Sequence, residues 1–441
     1  APTANADVAP AVATDAAITV TDSAALDSLL AVASTRLLDP RSTGVAAALE
    51  QRGRTADAFV LLTRVVAADS TTPCRSCDAL PVLARVAYAA DSSGVGETAL
   101  RRWMQRDATA PEPVRRLAQQ LVREGRFAEA AVLVDSAKSR GASTLWARQQ
   151  RMERAMAGGF WPVARDLVVD STAEGMTGAR ARWWRVAFER LRGRPASAAA
   201  FARPLLATGV PAIAGQLDAA LAQEVRAAVV TALLDAGDVN GARTVLAEPV
   251  ARRDSAPLLL DDVALRGRVL AAQSDSTALR TLVDSVAASP MPTIDARTLA
   301  LRGYLRGLAA ATRGAHGEAL PHFEAALRVD RVTAPAINVA LARSLTALGR
   351  PADAIPVLRA ATRAPILPTG ATAEPFPAVR EQLALAHAAI GARDSARVHA
   401  RIVLDAWNES EAVMRVRTNA LRRAVGLGRR PRTDSAAAGA P

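Results

Sequence analysis

The 441-residue sequence is poor in the side chains on which most compact cores and most active sites depend. Aromatic residues make up only 3% of the chain although 50% of its residues are apolar, so burial has to come mainly from Ala, Leu and Val. Small side chains of this kind suit helices that pack closely together. There are also only two Cys, four His and a single Lys, Lys138. No apolar run approaches the roughly 20 residues of a membrane-spanning helix.

Sequence motifs of enzyme active sites are absent as well. The chain has no Gly-x-Ser-x-Gly, no phosphate-loop Gly-Lys-Ser/Thr and no zinc-binding His-Glu-x-x-His. The glycines of residues 94–96 imitate a dinucleotide-binding loop, but no predicted strand precedes them. His316 and His322 share a helical face with Glu318 only loosely, which favours surface or packing histidines over metal ligands. We therefore expect no catalytic residue, no cofactor and no metal site.

The two cysteines form one Cys-x-x-Cys motif, Cys74 and Cys77, in a loop flanked by prolines. Haem attachment would require His at the next position, where the chain has Asp78, and a structural zinc would require a second pair of ligands. In an exported protein this spacing favours a short-range disulfide that closes the loop. A reduced and inert pair is the alternative.

The formal net charge is +12, and arginine supplies almost all of the positive charge. One interpretation is a nucleic-acid or other acidic partner. The other is a compositional bias that scatters arginine over solvated helix faces. Arg101, Arg102, Arg115 and Arg116 are interspersed with acidic residues instead of forming one block, which favours the second interpretation. We therefore expect no specific binding to nucleic acid.

The sequence does contain a repeated pattern of small residues, which is clearest from Leu299 to Ala361. Two blocks, 35 residues apart, each have an apolar helix, a Gly at a turn and a second helix whose apolar residues recur at i, i+4 and i+7. That spacing puts these residues on one helical face, which a single unit cannot bury without stacking on further copies. The first block carries Gly307, Gly314, Ala319, Phe323 and Ala326, and the second carries Ala342, Gly349, Ala354, Leu358 and Ala361.

A Gly followed five residues later by Ala recurs along almost the whole chain. A further, degenerate copy has Gln273 in place of the Gly and Ala278 as the alanine. Regular recurrence of one short pattern indicates a repeat architecture. The nine regular copies are Gly53/Ala58, Gly94/Ala99, Gly125/Ala130, Gly159/Ala164, Gly193/Ala198, Gly237/Ala242, Gly314/Ala319, Gly349/Ala354 and Gly391/Ala396.

The block from Gly307 to Ala326 resembles the tetratricopeptide repeat (TPR) family, whose pattern it matches residue by residue. Other copies match more loosely: Trp103 stands in the aromatic position of one copy, and the closing Pro is in register only at Pro111. The resemblance covers about residues 36–426. It implies an all-α, right-handed superhelical solenoid of about ten TPR-like helix pairs, with a concave groove that binds a protein or peptide segment.

Composition changes along the chain predict its organisation. Residues 1–24 are expected to form an extended leader with one strand-like patch at residues 18–21. Residues 25–288 form an N-terminal array, and residues 289–426 form a C-terminal array that ends in a capping helix at about residues 411–425. The C-terminal array contains a Pro-rich insertion at residues 364–377. Residues 427–441 are expected to be a disordered tail.

Positions that line the concave groove follow from the family's pattern, by counting back from each turn Gly along the first helix. Trp183 either lines the groove or packs on a neighbouring helix, whereas Trp161 and Trp184 are expected in the core. The candidate partner-binding residues are Tyr88, Arg115, Gln119, Gln149, Glu153, Trp183, Arg190, Tyr304, Arg343 and Glu381.

The sequence begins Ala1-Pro2-Thr3 without Met, and small residues of this kind remain after a signal peptide is removed, although a shortened sequence would look the same. We expect an exported protein that is periplasmic, associated with the outer envelope, or extracellular. Two functions stay open at this point. One is a bacterial envelope scaffold that binds a partner segment in its groove; the other is a self-assembling subunit of a filament or large complex, whose leader docks on a neighbouring copy.

Overall fold

The computed structural model describes residues 23–69, 78–90, 92–169, 178–207, 217–247, 256–288, 296–328, 334–364, 366, 371–372 and 374–428. The described residues form 22 α-helices and no strand. In chain order these are α1 (Ser23–Thr35), α2 (Arg41–Gln51), α3 (Thr55–Ala68), α4 (Ala79–Ala89), α5 (Ser93–Arg106), α6 (Glu112–Arg123), α7 (Phe127–Ser139), α8 (Thr144–Ala157), α9 (Trp161–Val169), α10 (Gly178–Leu191), α11 (Pro195–Ala207), α12 (Leu217–Asp235), α13 (Val239–Ala247), α14 (Ala256–Ala272), α15 (Ser276–Ala288), α16 (Ala296–Thr312), α17 (His316–Leu327), α18 (Pro335–Ala347), α19 (Pro351–Ala361), α20 (Phe376–Ala389), α21 (Arg393–Ala406) and α22 (Ala412–Ala424).

The helices of the described ranges pack as ten successive pairs, from α2 with α3 to α20 with α21. The second helix of each pair also packs on the first helix of the next pair, so the pairs form one continuous stack. Helix α1 precedes the first pair, and α22 follows the last pair within the predicted range of the capping helix. The predicted all-α solenoid of about ten TPR-like helix pairs is therefore confirmed.

Turn glycines account for the regular pairing. In eight of the nine predicted copies the Gly has a φ between +66° and +78°, a left-handed conformation that disfavours any residue with a Cβ. The residue after the Gly donates its N–H to a carbonyl five residues back, as Arg54 does to Leu49 over 2.8 Å. The alanine five residues after the Gly is 0% exposed in all eight copies, because the second helix approaches its neighbours closely there. The eight alanines are Ala58, Ala130, Ala164, Ala198, Ala242, Ala319, Ala354 and Ala396.

The predicted register of the remaining regular copy, Gly94/Ala99, is wrong. Gly94 lies in the first turn of α5 and has no positive φ. The turn hydrogen bond instead runs from Ser92 N–H to Ala87 O, at 2.8 Å. Gly96 therefore takes the position of the buried alanine. A Cβ at Gly96 would lie 2.9 Å from the ring of Tyr88, so the absence of a side chain makes room for this tyrosine.

The same shift corrects the aromatic position of that copy. Leu100, which is 0% exposed, takes the place predicted for Trp103. Trp103 is only partly buried and lies under the guanidinium of Arg116, whose Cζ is 5.7 Å from the ring centroid. The error arose because an Ala-rich helix offers more than one Gly and Ala at the required spacing.

The degenerate copy is also displaced by one residue from its prediction. The left-handed residue is Ser274, with φ 57°, and Gln273 precedes it. Asp275 N–H donates to Leu270 O over 3.0 Å, which is the same turn hydrogen bond as in the glycine copies. Leu279, rather than Ala278, then occupies the buried position and is 0% exposed.

One structural feature was not predicted: the stack closes on itself. The end of α21 and the residues before α22 contact the turns of the fourth and fifth pairs. Trp161 Nε1 donates to Asp405 Oδ2 over 2.7 Å, and Glu411 N–H donates to Gly193 O over 3.0 Å. A Cβ at Gly193 would lie 2.8 Å from the indole of Trp407. We call these contacts the closure contact.

The apolar core supports the closure contact. One cluster of buried side chains combines residues of α8 to α16 with Trp407, Met414 and Leu421 from the C-terminal end of the stack. Val286 and Leu305 belong to this cluster and lie on opposite sides of the boundary predicted at residue 289. The division into two arrays is not tested by this packing and stays a prediction.

Several predictions concern residues outside the described ranges. These are the leader up to residue 22, the Cys74–Cys77 pair, most of the Pro-rich insertion and the tail from residue 429. Among the described helices, none combines the length and the apolar character that crossing a membrane requires.

Candidate functional site

Four predicted groove residues are partly exposed on the first helices of the second, third and fourth pairs. They are Tyr88 on α4, Arg115 and Gln119 on α6, and Gln149 on α8. Helices α6 and α8 pack on each other, which brings Arg115, Gln119 and Gln149 onto one surface. We call the surface formed by these four residues the N-terminal groove.

Aromatic and amide contacts hold the polar side chains of the N-terminal groove in place. The Cζ of Arg115 lies 5.4 Å from the centroid of the Trp146 ring, and its Nη1 lies 3.6 Å from a carboxylate oxygen of Glu112. Gln149 Nε2 donates to Glu153 Oε1 over 2.9 Å. Such contacts restrict the rotamers of Arg115 and Gln149 before any partner binds.

Burial shifts the pKa of two ionisable groups in this region, Glu153 beneath the surface and Tyr88 within it. Burial raises the pKa of Glu153, which is 8% exposed, although the hydrogen bond from Gln149 and the charge of Arg123 oppose the shift. Burial also raises the pKa of Tyr88, and the charges of Glu124 and other neighbouring residues modify it. Within the described residues the Tyr88 hydroxyl has no hydrogen-bond partner.

The incorrect register of the second copy concealed one further groove residue, Arg85. This exposed residue precedes Tyr88 by three positions on α4 and donates from Nε to Glu50 Oε1 over 2.8 Å. Glu50 is partly exposed near the end of α2, in the position that corresponds to Tyr88. Counting back from the turn at Ser92, instead of from Gly94, identifies Arg85.

The predicted groove residues of later pairs lie in a different environment, because four of the five are buried. Trp183 is 6% exposed and belongs to the apolar core with Trp184. Arg190 is also buried, with 8% of its surface exposed. Tyr304 is 3% exposed and lies 6.3 Å, centroid to centroid, from Phe323. Arg343 and Glu381 are the remaining two predicted groove residues of the later pairs.

Glu381 and Arg343 complete the predicted set. Glu381 is 4% exposed and forms an ion pair with Arg417 of α22. Arg343, on α18, is exposed. An open groove with exposed Trp183, Arg190 and Glu153 is thus not what the structure contains. Whether any of the ten predicted residues binds a partner stays a prediction.

Charged side chains of the later pairs form ion pairs within the chain itself. Arg190 Nη2 lies 3.3 Å from Asp235 Oδ2, and Arg268 Nη2 lies 2.8 Å from Glu374 Oε1. Burial raises the pKa of Asp235, and the positive charge of Arg190 opposes that shift. Arg268 also donates to the carbonyl of Ala371 over 2.9 Å. The later pairs therefore already bind segments of their own chain.

The described residues of the Pro-rich insertion also pack against the later pairs. Ile366 and Ala371 are 2% and 0% exposed and belong to the apolar cluster of α8 to α16. Asp261 borders Ala371, and burial raises the pKa of this carboxyl group. The insertion thus covers part of the later pairs, whereas Arg115, Gln119 and Gln149 are partly exposed.

No protein-family model and no curated protein sequence matches the chain. The chain is similar to a crystal structure of the P58(IPK) TPR domain, at 13% identity and a TM-score of 0.23, over 88% of this chain and 98% of that chain. It is also similar to the structure of Naa15/Naa10 bound to HypK-THB, at 12% identity and a TM-score of 0.24, over 86% of this chain. The chain spans 65% of the length of that second match.

Likenesses at this identity and TM-score carry no argument about function. The class of protein follows from the described helices themselves: ten packed pairs, left-handed turn glycines and buried alanines. They define a TPR-like α-solenoid.

Proposed function

We propose that this protein is a non-enzymatic protein–protein interaction scaffold that binds an extended segment of a partner protein in the N-terminal groove. The observation that carries this proposal is the difference between the third and fourth pairs and two of the later pairs, the fifth and the tenth. Arg115, Gln119 and Gln149 are partly exposed on adjacent first helices, whereas Arg190 and Glu381 are buried in ion pairs with the chain itself.

The chemistry of the N-terminal groove suits an extended backbone. A glutamine amide has both donors and acceptors, so it can pair with the N–H and the carbonyl of a peptide unit. The guanidinium of Arg115, already stacked on Trp146, adds donors for a carbonyl or a carboxylate. Because packing already restricts these side chains, little further rotamer entropy is lost on binding.

Site-specific photo-crosslinking tests this proposal. A photoreactive amino acid is placed at Gln119 or Gln149, and at Val132 as a control that is 69% exposed on α7. We expect one defined partner segment to crosslink from both groove positions and not from Val132, when the protein is incubated with an extract of its source organism. Equal crosslinking from all three positions, or none from the groove, would contradict the proposal.

We include in the proposal a location in the bacterial cell envelope or outside the cell. A Cys74–Cys77 disulfide would be compatible with that location. Intact mass spectrometry of alkylated protein, with and without prior reduction, measures the state of the pair. Thiols that are alkylated without reduction in protein isolated from its native compartment would argue against an oxidising location.

A self-assembling subunit is the second candidate function, and the charges at the two ends of the chain favour it. Arg415, Arg422 and Arg423 project from α22 and form no ion pair within the described ranges. The leader contains three Asp, at positions 7, 15 and 22, and no basic residue. The leader of one copy could thus pair with α22 of the next. Light scattering with and without residues 1–22 tests this function: a monomer in both cases would exclude it.

A further inference from the structure

A cluster of basic side chains lies between α19, α20 and α21. The rings of His387 and His399 are stacked, with centroids 5.5 Å apart and an angle of 26° between their planes. Arg380 Nη1 lies 3.1 Å from His399 Nδ1, and the Cζ of Arg380 lies 4.8 Å from the centroid of the Phe376 ring. The charge of Arg359, an exposed residue of α19, acts on both imidazoles.

Hydrogen-bonding groups in this cluster lack partners. His387 is 6% exposed, and its Nδ1 is buried without a hydrogen-bond partner within the described residues. The Nε of Arg380 is likewise buried and unpartnered there. The Nε of Arg380 is always a donor, and Nδ1 of His387 becomes one when the imidazole is protonated, so an added acceptor would satisfy both groups.

No carboxylate of the surrounding helices supplies a countercharge. Helix α18 carries only Arg343 as an ionisable residue, and α22 carries basic residues but no acidic one. Each carboxylate of α19, α20 and α21 is engaged elsewhere. These pairs are Asp353 with Arg350 at 2.7 Å, Glu381 with Arg417, Asp394 with Arg397 at 3.8 Å, and Asp405 with Trp161 at 2.7 Å.

The pKa values of the cluster reflect this unbalanced charge. Burial, together with the positive charges of Arg380, His387 and Arg359, lowers the pKa of His399 to about 4. Burial and Arg359 also lower the pKa of His387, and burial lowers that of Arg380. An anion between these groups would oppose each of these shifts, since opposite charge favours the protonated forms.

We propose that Arg359, Arg380, His387 and His399 bind a small oxyanion of the phosphate or sulfate type. Guanidinium groups and protonated imidazoles are the donors that form charge-assisted hydrogen bonds with such an anion. Arg359 lies at the solvent side and gives the anion access, whereas His387 forms the buried end of the site. This site is independent of the N-terminal groove and of the proposed scaffold function.

Binding of the oxyanion is linked to proton uptake. The imidazoles are neutral in the free protein near pH 7, because their pKa values are lowered, and the anion stabilises their charged forms. The affinity for sulfate, whose charge does not change in this range, should therefore increase as the pH falls from about 6 to about 4.

NMR of the imidazole signals tests the proposal, because the chain has only four His. Inorganic phosphate is titrated against selectively labelled protein at constant ionic strength, with His316 and His322 as internal references. We expect the signals of His387 and His399 to shift saturably, their pKa values to rise by about one unit or more, and the references to stay unchanged. Equal shifts of all four His, or no shift, would overturn the proposal.

Matched variants separate binding from general charge effects. Arg359→Gln, at the exposed side, should remove most of the phosphate response without loss of fold, which circular dichroism checks. Arg380→Gln should remove it entirely. Arg393→Gln removes the same charge from an exposed position at the start of α21 and should leave the response intact. A response that survives Arg359→Gln and Arg380→Gln would exclude the site.

The nature of the anion is tested in parallel titrations. Sulfate should compete with phosphate, whereas acetate and chloride at the same ionic strength should not displace it. Displacement by acetate with the same affinity would show a site for carboxylates, and would contradict the assignment to a tetrahedral oxyanion.

Discussion

The carboxylate of Glu411 caps the N-terminus of α11 by accepting hydrogen bonds from Ser197, although 214 residues of chain separate the two. Ser197 N–H donates to Glu411 Oε1 over 2.9 Å, and its hydroxyl donates over 2.7 Å. Ala196 N–H donates to the other carboxylate oxygen over 2.8 Å. A negative group at this position also interacts favourably with the helix dipole. The capping residue of α11 is thus supplied by the far end of the solenoid.

Replacement of Glu411 by Ala should weaken the closure contact. We expect a loss of about 1–2 kcal/mol in the free energy of unfolding, the usual effect of removing a helix cap. Urea denaturation measures this loss. Glu324→Ala is the matched control, because Glu324 is exposed in the interior of α17 and should cost less than about 0.5 kcal/mol. Equal losses for the two variants would contradict a capping role.

The closure contact should also depend on pH. Burial would raise the pKa of Glu411, but the hydrogen bonds from Ser197 and Ala196 outweigh it and hold the pKa below its ordinary value. A depressed pKa means that the ionised carboxylate stabilises the fold at neutral pH and that this stabilisation is lost as the pH falls below about 4. The Tm of Glu411→Gln should therefore decrease less than that of the wild type between about pH 6 and about pH 3. Parallel decreases would contradict the assignment.

Two turn glycines with the same backbone conformation should respond differently to alanine. In Gly125→Ala the new residue must keep a positive φ, but its Cβ would have no atom within 4 Å. We therefore expect a loss of about 1–2 kcal/mol in the free energy of unfolding. In Gly193→Ala the new Cβ would also lie 2.8 Å from Trp407, which should add about 1–3 kcal/mol. Urea denaturation of both variants measures the difference. Equal losses would mean that Trp407 is not packed against Gly193.

A comparison of the eighth and ninth pairs predicts that one substitution can compensate for the destabilisation caused by another. A Cβ at Gly307 would lie 2.4 Å from the Phe323 ring, whereas the ninth pair has Ala342 and Leu358 at the equivalent positions. Gly307→Ala alone should cost about 1–3 kcal/mol through overpacking. Combined with Phe323→Leu, the loss should be smaller than the sum of the single losses by at least about 1 kcal/mol. A double-mutant cycle of unfolding free energies tests this, and strict additivity would contradict the proposed contact.

How far the sequence predicts this fold depends on the range of each interaction. A left-handed turn and a buried alanine five residues later are local requirements, so eight copies were found from the Gly and Ala alone. The left-handed turn at Ser274 was not predicted, because a residue with a Cβ adopts this conformation only with backbone strain. The role of Gly96 was not predicted, because this glycine makes room for the ring of Tyr88 and does not form a turn.

The closure contact has no local signature, and this limited the prediction of the candidate site. Glu411 precedes α22 and would be read as a residue of that helix's own N-terminus, not as the cap of α11. Counting positions led to Arg115 and Gln149, which are partly exposed on first helices, but it could not show that Arg190 pairs with Asp235. Exposure within a solenoid depends on how tightly the whole stack curves.

The most direct test of the scaffold function compares two arginines at predicted groove positions, the partly exposed Arg115 in the N-terminal groove and the exposed Arg343 on α18. The affinity of the segment recovered by crosslinking from Gln149 is measured by calorimetry for Arg115→Ala and Arg343→Ala. The account predicts that Arg115→Ala weakens binding about tenfold or more, as loss of an interface anchor does, and that Arg343→Ala leaves it unchanged. Unchanged binding in Arg115→Ala, or an equal loss in Arg343→Ala, would contradict the account.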